Sequence, residues 1–244
     1  MEKPARYSKP PISEAIIAIN VTPGEGLTVG DVERFAESEP QYPERKKIRI
    51  GHSRIQLGEK PVAEASTTDA GFLVSNAQKT QVFQARVDGF IMSRLAPYEH
   101  WEPFQAEARR LWRSYREMTK PLRIERLAVR YVNRFDFPLP LIDLDDYLRT
   151  APSVSPDMPR SIAAYFMQLN IPQKDIACTL LLNQTNSEPA RPDVVSIILD
   201  IDLCRDHDVP QDETELWRLC EVLRVRKNQI FEACITERTR ELIR

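Results

Sequence analysis

The chain has 244 residues, of which 42% are hydrophobic and 29% are charged, and this balance supports a large core and excludes whole-chain disorder. Its 34 basic and 36 acidic side chains leave a formal net charge of -2, so bulk charge predicts neither nucleic acid nor a membrane surface as a partner. Only 7 glycines accompany 19 prolines, which disfavours phosphate-binding loops built from glycine.

The first half of the chain is predicted to contain strands and two helices. The predicted strands are hydrophobic segments bounded by turn residues, at positions 14–21, 47–57, 62–75 and 81–95, the last of them with a turn near Asp88 and Gly89. Thr28 and Asp31 have the spacing of a capping box and begin a short helix. The strongest helical pattern spans residues 99–118, where apolar side chains recur every three or four positions. Trp101 and Trp112 belong to this stripe and are predicted to pack in the core.

The order of elements restarts near Leu122. A short helix is predicted from Asp143 to Arg149 and a long closing helix over residues 214–242, and the strands are predicted at positions 124–137, 161–170, 175–184 and 194–203. Both halves thus contain a strand, a short helix, further strands and a long helix. We predict an α+β fold in which long helices cross one face of antiparallel sheets. A tandem duplication would divide it into halves at residues 1–121 and 122–244, or the halves form one continuous domain.

Three segments of the chain resemble a sporadically distributed bacterial and archaeal family of unknown function. The segments are KPPISEAIIAI, RLAPYEHWEPFQAEARRLWRSY and LAVRYVNRFDFP. The residues that carry the resemblance are Pro11, Glu14, Ala15, Arg94, Pro97, Tyr98, Trp101, Arg130, Tyr131, Asn133 and Arg134. The resemblance implies no established activity. The patchy distribution of the family suggests an association with accessory genes, such as defence or toxin–antitoxin islands.

The predicted strand at residues 124–137 carries three arginines on one face. Side chains alternate along a strand, so Arg126, Arg130 and Arg134 point to the same side. A guanidinium fork fits a phosphate or a carboxylate, and the pattern therefore predicts an anion-binding groove. The alternative is that these arginines pair with Asp or Glu on neighbouring strands, or extend into water.

Asn133 and Tyr98 complete the candidate ligand site. Asn133 lies among the apolar side chains of the other strand face, either as a hydrogen-bonded core residue or as a contact to a ligand edge. Tyr98 and Trp101 stand where the chain enters the long helix. These two aromatic residues either staple the helix entry to the sheet or form a stacking platform for a base or nucleotide.

The sequence contains no familiar motif for catalysis or cofactor binding. The run LDIDLCRDHD supplies four aspartates and His207, which are side chains that could hold a divalent cation. It lacks the spacing of an EF-hand, and the pattern is more typical of the solvated end of an edge strand. A nucleophile elbow, a P-loop and a dinucleotide fingerprint are all missing from the sequence. We therefore predict no catalytic residue, no metal ligand and no cofactor.

The cysteine pattern and the N-terminal segment predict a cytoplasmic protein. Cys178, Cys204, Cys220 and Cys234 form no C-x-x-C motif and are expected to be reduced, buried thiols. The polar first eleven residues lack the apolar core of a signal peptide. No apolar run reaches membrane-spanning length, so no membrane partner is expected.

Three functions remain open from the sequence. The first is a non-enzymatic binding or regulatory module with a groove for a small anion, a nucleotide or a partner protein. The second is an enzyme that acts on a phosphate-bearing or nucleic-acid substrate through the arginine strand. The third is an antitoxin-like interaction protein whose helices dock another chain. A homodimer is compatible with each of them, and nucleic acid stays among the candidate partners.

Overall fold

The computed structural model describes residues 7–56, 62–140, 143–155, 157–158 and 162–244. The described residues form nine strands and four α-helices. In chain order these are β1 Ile12–Thr22, α1 Val29–Glu37, β2 Glu44–Gln56, β3 Val62–Ser75, β4 Gln81–Arg86, β5 Gly89–Leu95, α2 Trp101–Thr119, β6 Arg123–Pro138, β7 Phe166–Gln173, β8 Cys178–Ser187, β9 Val194–Arg205, α3 Glu213–Cys234 and α4 Glu237–Ile243. The strands form an antiparallel sheet in the order β2-β3-β4-β5-β1-β6-β9-β8-β7, which confirms the predicted α+β class.

The backbone contacts divide the chain into two compact units. The N-terminal unit comprises residues 18–95 and 100–125. The C-terminal unit comprises the described residues through Ile17, residues 96–99 and residues 126–244. The division predicted at residues 121 and 122 and the tandem duplication both stay predictions.

Aromatic side chains dominate the core of the N-terminal unit. The ring of Phe90 lies 5.8 Å from that of Tyr115 and 6.3 Å from that of Trp112, measured between centroids. Trp101 is 4% exposed and Trp112 is fully buried, which confirms that both pack in the core. Such rings bury large apolar areas and account for much of the stability of a core.

Two local features of the N-terminal unit follow from single residues. The hydroxyl of Thr28 accepts a hydrogen bond from the N–H of Asp31, whose carboxylate accepts from the N–H of Thr28, so the predicted capping box is confirmed. Gly71 has a φ of 154°. A Cβ atom at Gly71 would lie 2.1 Å from the carbonyl oxygen of Ala85, so only glycine fits this close approach of two strands.

Two strands of the C-terminal unit, β7 and β8, begin later than their sequence patterns predict. β7 begins at Phe166 instead of residue 161, which lies outside the described residues, and β8 begins at Cys178 instead of residue 175. A 3₁₀ turn over Lys174–Ile176 separates β7 from β8. The short helix predicted from Asp143 is also a single 3₁₀ turn, and the side chain of Asp143 accepts a hydrogen bond at its start.

The closing helix is interrupted, contrary to the prediction of one helix over residues 214–242. α3 ends at Cys234 and α4 begins at Glu237. Between them Ile235 pairs with Leu148 as an isolated bridge, and the N–H of Thr236 donates to the carbonyl of Tyr147 at 3.0 Å. These contacts to a distant segment replace the helical hydrogen bonds, and Thr236 caps the new helix. None of the helices in the described part of the chain is long and apolar enough to cross a membrane.

Candidate functional site

The three predicted arginines share one face of β6, and β9 supplies aspartates to two of them. Nη2 of Arg126 lies 3.1 Å from a carboxylate oxygen of Asp202. Arg130 binds Asp200 through two N–H groups at 2.8 and 2.7 Å. In the β6–β9 register Arg130 stands opposite Asp202, so its ion pair with Asp200 runs diagonally, which long side chains on one sheet face can reach.

The Arg130–Asp200 pair is the centre of a polar ladder that crosses four strands. The side-chain amide of Asn183, on β8, donates to Asp200 at 3.1 Å. Gln168, on β7, donates to the side-chain oxygen of Asn183 at 2.8 Å. The carboxylate of Asp200 is only 7% exposed, whereas the side chain of Arg130 is 43% exposed. The ladder therefore holds Arg130 in one orientation and leaves part of its guanidinium in contact with solvent.

Arg126 and Asp202 form a less complete pair. Oδ2 of Asp202 accepts from Arg126, but its buried Oδ1 has no hydrogen-bond partner among the described residues. Burial raises the pKa of the Asp202 carboxyl above its ordinary value, although Arg126 and Arg130 act in the opposite direction. A buried carboxylate oxygen without a donor costs free energy, so this end of the face is the least satisfied part of it.

Arg134 lies at the other end of the row, and its carboxylate partner is more exposed than those of Arg126 and Arg130. Its Nε lies 3.2 Å from a carboxylate oxygen of Asp136, and Nη2 donates to the hydroxyl of Ser196 at 3.0 Å. The same Nη2 donates to the carbonyl of Glu188 at 2.8 Å. Arg134 is thus anchored as well, but its carboxylate partner Asp136 is partly exposed.

The charges on this face nearly cancel, which bears on what it can bind. Each of the three arginines contacts an aspartate, namely Asp202, Asp200 or Asp136. Glu14 adds a further negative charge that acts on Arg130. A small anion would therefore meet carboxylates beside each guanidinium. For Arg126 and Arg130 this is the alternative in which the arginines pair with acids on a neighbouring strand, whereas Arg134 pairs within β6. The nearby carboxylates disfavour a site specialised for phosphate.

The ion pair predicts a measurable contribution of Arg130 to stability. Arg130→Ala removes both guanidinium bonds to the buried Asp200 and should lower the free energy of unfolding by about 1–3 kcal/mol. Arg130→Lys should recover little of this, because an ammonium group cannot reproduce the two-pronged contact. Arg134→Ala is the matched control and should cost less than about 1 kcal/mol, since the carboxylate it pairs with is partly exposed. Urea unfolding measures all three, and equal values for Arg130→Ala and Arg134→Ala would contradict the role of the ladder.

Asn133 and Tyr98 do not join the arginines. Asn133 is 2% exposed and donates to the carbonyl oxygens of Tyr131 and Leu199 at 3.3 and 3.1 Å. The hydroxyl of Tyr98 lies 2.9 Å from that of Tyr131, and the two rings make an edge contact. Both residues therefore belong with the buried side of β6. Asn133 has the geometry of a hydrogen-bonded core residue, and Tyr98 that of a packing residue.

Beside this pair lies a buried lysine that the sequence analysis missed. Lys227, in α3, is 7% exposed, and its Nζ lies 3.6 Å from the ring centroid of Tyr131. Burial lowers the pKa of Lys227 to about 7, with Arg224 acting in the same direction and Glu232 against it. The sequence contained a signal for this burial, because Lys227 falls four residues from both Leu223 and Phe231 in the apolar stripe of α3.

The remaining candidate features offer no ligand site of their own. His207 contacts Asp206 at 3.1 Å, and both side chains are exposed. Among the described residues no group of three or more His, Cys, Asp or Glu is arranged to hold a metal ion. An open depression on α2 is lined by Ala106, Arg109, Arg110, Arg113, Ser114 and Glu117. All six belong to one helix, so the depression is part of the helix surface and encloses nothing.

Comparison with known proteins adds no relative to this description. The chain matches no protein-family model, no curated protein and no solved structure. The resemblance drawn from the three sequence segments therefore remains a prediction. The evidence for a function therefore lies in the side chains of the chain itself, above all in the polar ladder centred on Arg130 and Asp200.

Proposed function

We propose that this chain is a non-enzymatic binding module that uses the solvent-facing side of β6, β9, β8 and β7 to bind a partner protein. We call this surface the arginine face and define it by Arg126, Arg130, Arg134, Asp200, Asp202, Asn183 and Gln168. The observation that carries the proposal is the ladder from Arg130 through Asp200 and Asn183 to Gln168. The ladder orders an arginine before any partner arrives, which lowers the entropy lost on binding.

Apolar side chains are interspersed with the ladder. Val132, Leu181 and Ile198 alternate with the polar residues of their strands and are partly exposed. Phe166, two residues from Gln168 on β7, is 68% exposed. A mixture of ordered arginine, amide groups and partly exposed apolar side chains is typical of protein–protein interfaces. This composition supports a protein partner.

The charge distribution of the arginine face favours a partner protein over the other candidate ligands. A phosphate or nucleotide site needs an excess of positive charge, whereas each arginine here stands beside an aspartate. An enzyme acting on nucleic acid would need the same excess. The antitoxin-like interaction protein is one form of the function we propose, with the sheet in place of the helices as the docking element.

Two further features belong to this proposal. We infer a tandem duplication, because the order β1-β5-β4-β3 in the first half corresponds to β6-β9-β8-β7 in the second. In each half a long helix follows the last strand of that half, α2 after β5 and α3 after β9. This shared order supports the inference that the long helices lie across the sheet.

The four free thiols, three of them buried, support a cytoplasmic location.

Photo-crosslinking from defined positions tests the proposal. A photoreactive phenylalanine derivative replaces Leu181 on the arginine face, and in a control it replaces Val225, which is 42% exposed on α3. In cells of the source organism we expect one covalent adduct from position 181 and none from position 225. The adduct from position 181 should decrease at least about tenfold when Arg126→Glu and Arg134→Glu are added, because reversed charges at an interface oppose binding. Equal adducts from both positions, or none from position 181, would contradict the proposal.

A further inference from the structure

The two strands at the ends of the sheet order differ in how their open edges are protected. β2 carries Arg45, Lys46, Lys47 and Arg49, and its pairing with β3 shifts between Ile48 and Arg49. Charges and irregularities of this kind prevent an edge strand from pairing with another chain. β7 has the sequence FMQLNIPQ, with no charged residue. The edge formed by β7 therefore lacks the usual protection.

Apolar side chains are exposed along this uncharged edge. Phe166 is 68% exposed and Ile171 is 38% exposed, both within β7. Met158 and Ile162, in the segment that leads into the strand, are 56% and 40% exposed. Large apolar side chains at an open strand edge mark an interaction site.

Hydrogen bonds at the start of β7 determine which backbone groups point outward. The N–H of Tyr165 donates to the side chain of Asn186, and its carbonyl accepts from the hydroxyl of Thr185. Tyr165 thus faces β8, and alternate residues of a strand face the same neighbour. Phe166, Gln168 and Asn170 consequently direct their N–H and C=O groups away from β8. Pro172 falls in the same set, so its missing N–H lies on the open edge, where edge strands accept proline.

We propose that β7 pairs in antiparallel orientation with β7 of a second copy of this chain, about a twofold axis at Leu169. This goes beyond the proposed function, because the contact uses the backbone edge of β7. Of the residues that define the arginine face, only Gln168 lies on this strand, and those of β6, β9 and β8 stay outside the contact. The register places Leu169 opposite itself and Met167 opposite Ile171. It also places Phe166 opposite Pro172 and Gln168 opposite Asn170. Every apolar residue meets an apolar residue, the two amides meet each other, and no charges are opposed.

Neighbouring registers fit less well. Moving the axis to Gln168 places Phe166 opposite Asn170, and moving it to Asn170 places Gln168 opposite Pro172. A register that pairs even-numbered with odd-numbered residues would place the arginine-bearing face of one copy beside the opposite sheet face of the other. With the axis at Leu169, the N–H of each Gln168 donates to the carbonyl of Asn170 of the second copy, and the reverse bond also forms. The only backbone bond that cannot form is the one at the end of the strand, where Pro172 has no N–H to donate to Phe166 of the second copy. The edge is therefore self-complementary, as a twofold interface requires.

Sedimentation of the full chain over a range of concentrations tests the dimer. We expect a species of twice the 28.2 kDa mass of the chain. Gln168→Lys/Asn170→Lys sets lysine opposite lysine at two places and should weaken dimerisation at least about tenfold. The control Ala77→Lys/Gln78→Lys adds the same charge at exposed positions between β3 and β4 and should dimerise like the natural chain. A natural chain that remains monomeric at all concentrations, or a lysine variant that dimerises normally, would overturn the proposal.

Charge exchange and crosslinking test the register and do not depend on one variant. Gln168→Glu/Asn170→Glu should be monomeric alone and should form a heterodimer when mixed with the lysine variant. Both variants lose the Gln168–Asn183 bond, so recovery on mixing reports only the new charge pairs. Leu169→Cys should give a disulfide-linked dimer on mild oxidation, because Cα atoms of directly opposed residues lie about 4.5 Å apart in a non-hydrogen-bonded pair. Ile171→Cys should not. Absence of the heterodimer, or equal crosslinking at both positions, would refute the register.

Discussion

Lys227→Met is expected to raise the free energy of unfolding by about 4 kcal/mol at pH 7. The pKa of Lys227 falls from an ordinary value of 10.5 to about 7 in the folded chain because burial disfavours its charge. At neutral pH folding must therefore strip the amine of a proton, or bury it charged, whereas methionine has a similar volume and no charge. The contact of the amine with the ring of Tyr131 offsets only part of this cost.

The pH dependence identifies the lysine as the cause. Between about pH 7 and pH 10 the unfolded chain holds a proton on Lys227 that the folded chain has lost, so the stability of the natural chain rises with pH across this window. Below pH 7 both states are protonated and the contribution stays constant. The advantage of Lys227→Met should therefore be largest at pH 7 and below, and should vanish above pH 10.

Urea unfolding at several pH values measures this effect. Lys174→Met, at an exposed position of the same unit, is the matched control and should show the pH dependence of the natural chain. Lys227→Arg should be destabilised at every pH, because a guanidinium does not lose its proton in this range. Parallel stability curves for the natural chain and Lys227→Met would contradict the burial of a lysine at this position.

Trp112→Ala should lower the free energy of unfolding by about 3–5 kcal/mol. The indole is fully buried and lies against the rings of Phe90 and Tyr115, so its removal leaves a cavity that the surrounding rings cannot fill. Trp112→Phe retains most of this packing. It also removes an indole N–H that has no acceptor among the described residues, so we expect it to cost less than about 1.5 kcal/mol.

Thermal and urea unfolding of the two variants separates packing from a binding role. Circular dichroism should show that both retain the secondary structure of the natural chain at low temperature. A small loss of stability for Trp112→Ala, comparable to that for Trp112→Phe, would show that the indole does not support the core. The same pair of substitutions can be read by tryptophan fluorescence, which loses one of three emitters in each case.

Features that depend on neighbouring residues in the chain were predictable. The capping box at Thr28 and Asp31 needs only a spacing of three residues. The helix predicted over residues 99–118 agrees with α2 to within two residues at each end, because its apolar period extends over five turns. The alternation that placed Arg126, Arg130 and Arg134 on one strand face is likewise a local property.

The partners of those arginines could not be derived in the same way. Asp200 lies 70 residues from Arg130 in the chain, and which aspartate it meets depends on the register between β6 and β9. The sequence left an anion site and an ion pair as alternatives, and only the register brings the carboxylates alongside. The break between α3 and α4 has the same origin, because Tyr147 and Leu148 supply the contacts that end the helical pattern.

By itself the sequence determined the α+β class, the positions of most elements and the faces on which their side chains lie, because periodicity and capping act over a few residues. The tertiary structure decided which charges are paired, that Lys227 is buried, and that β7 is the last strand of the sheet. These properties arise when segments far apart in the chain exclude water from one another or leave an edge open. Desolvation and strand order depend on the whole fold, so no local pattern contains them.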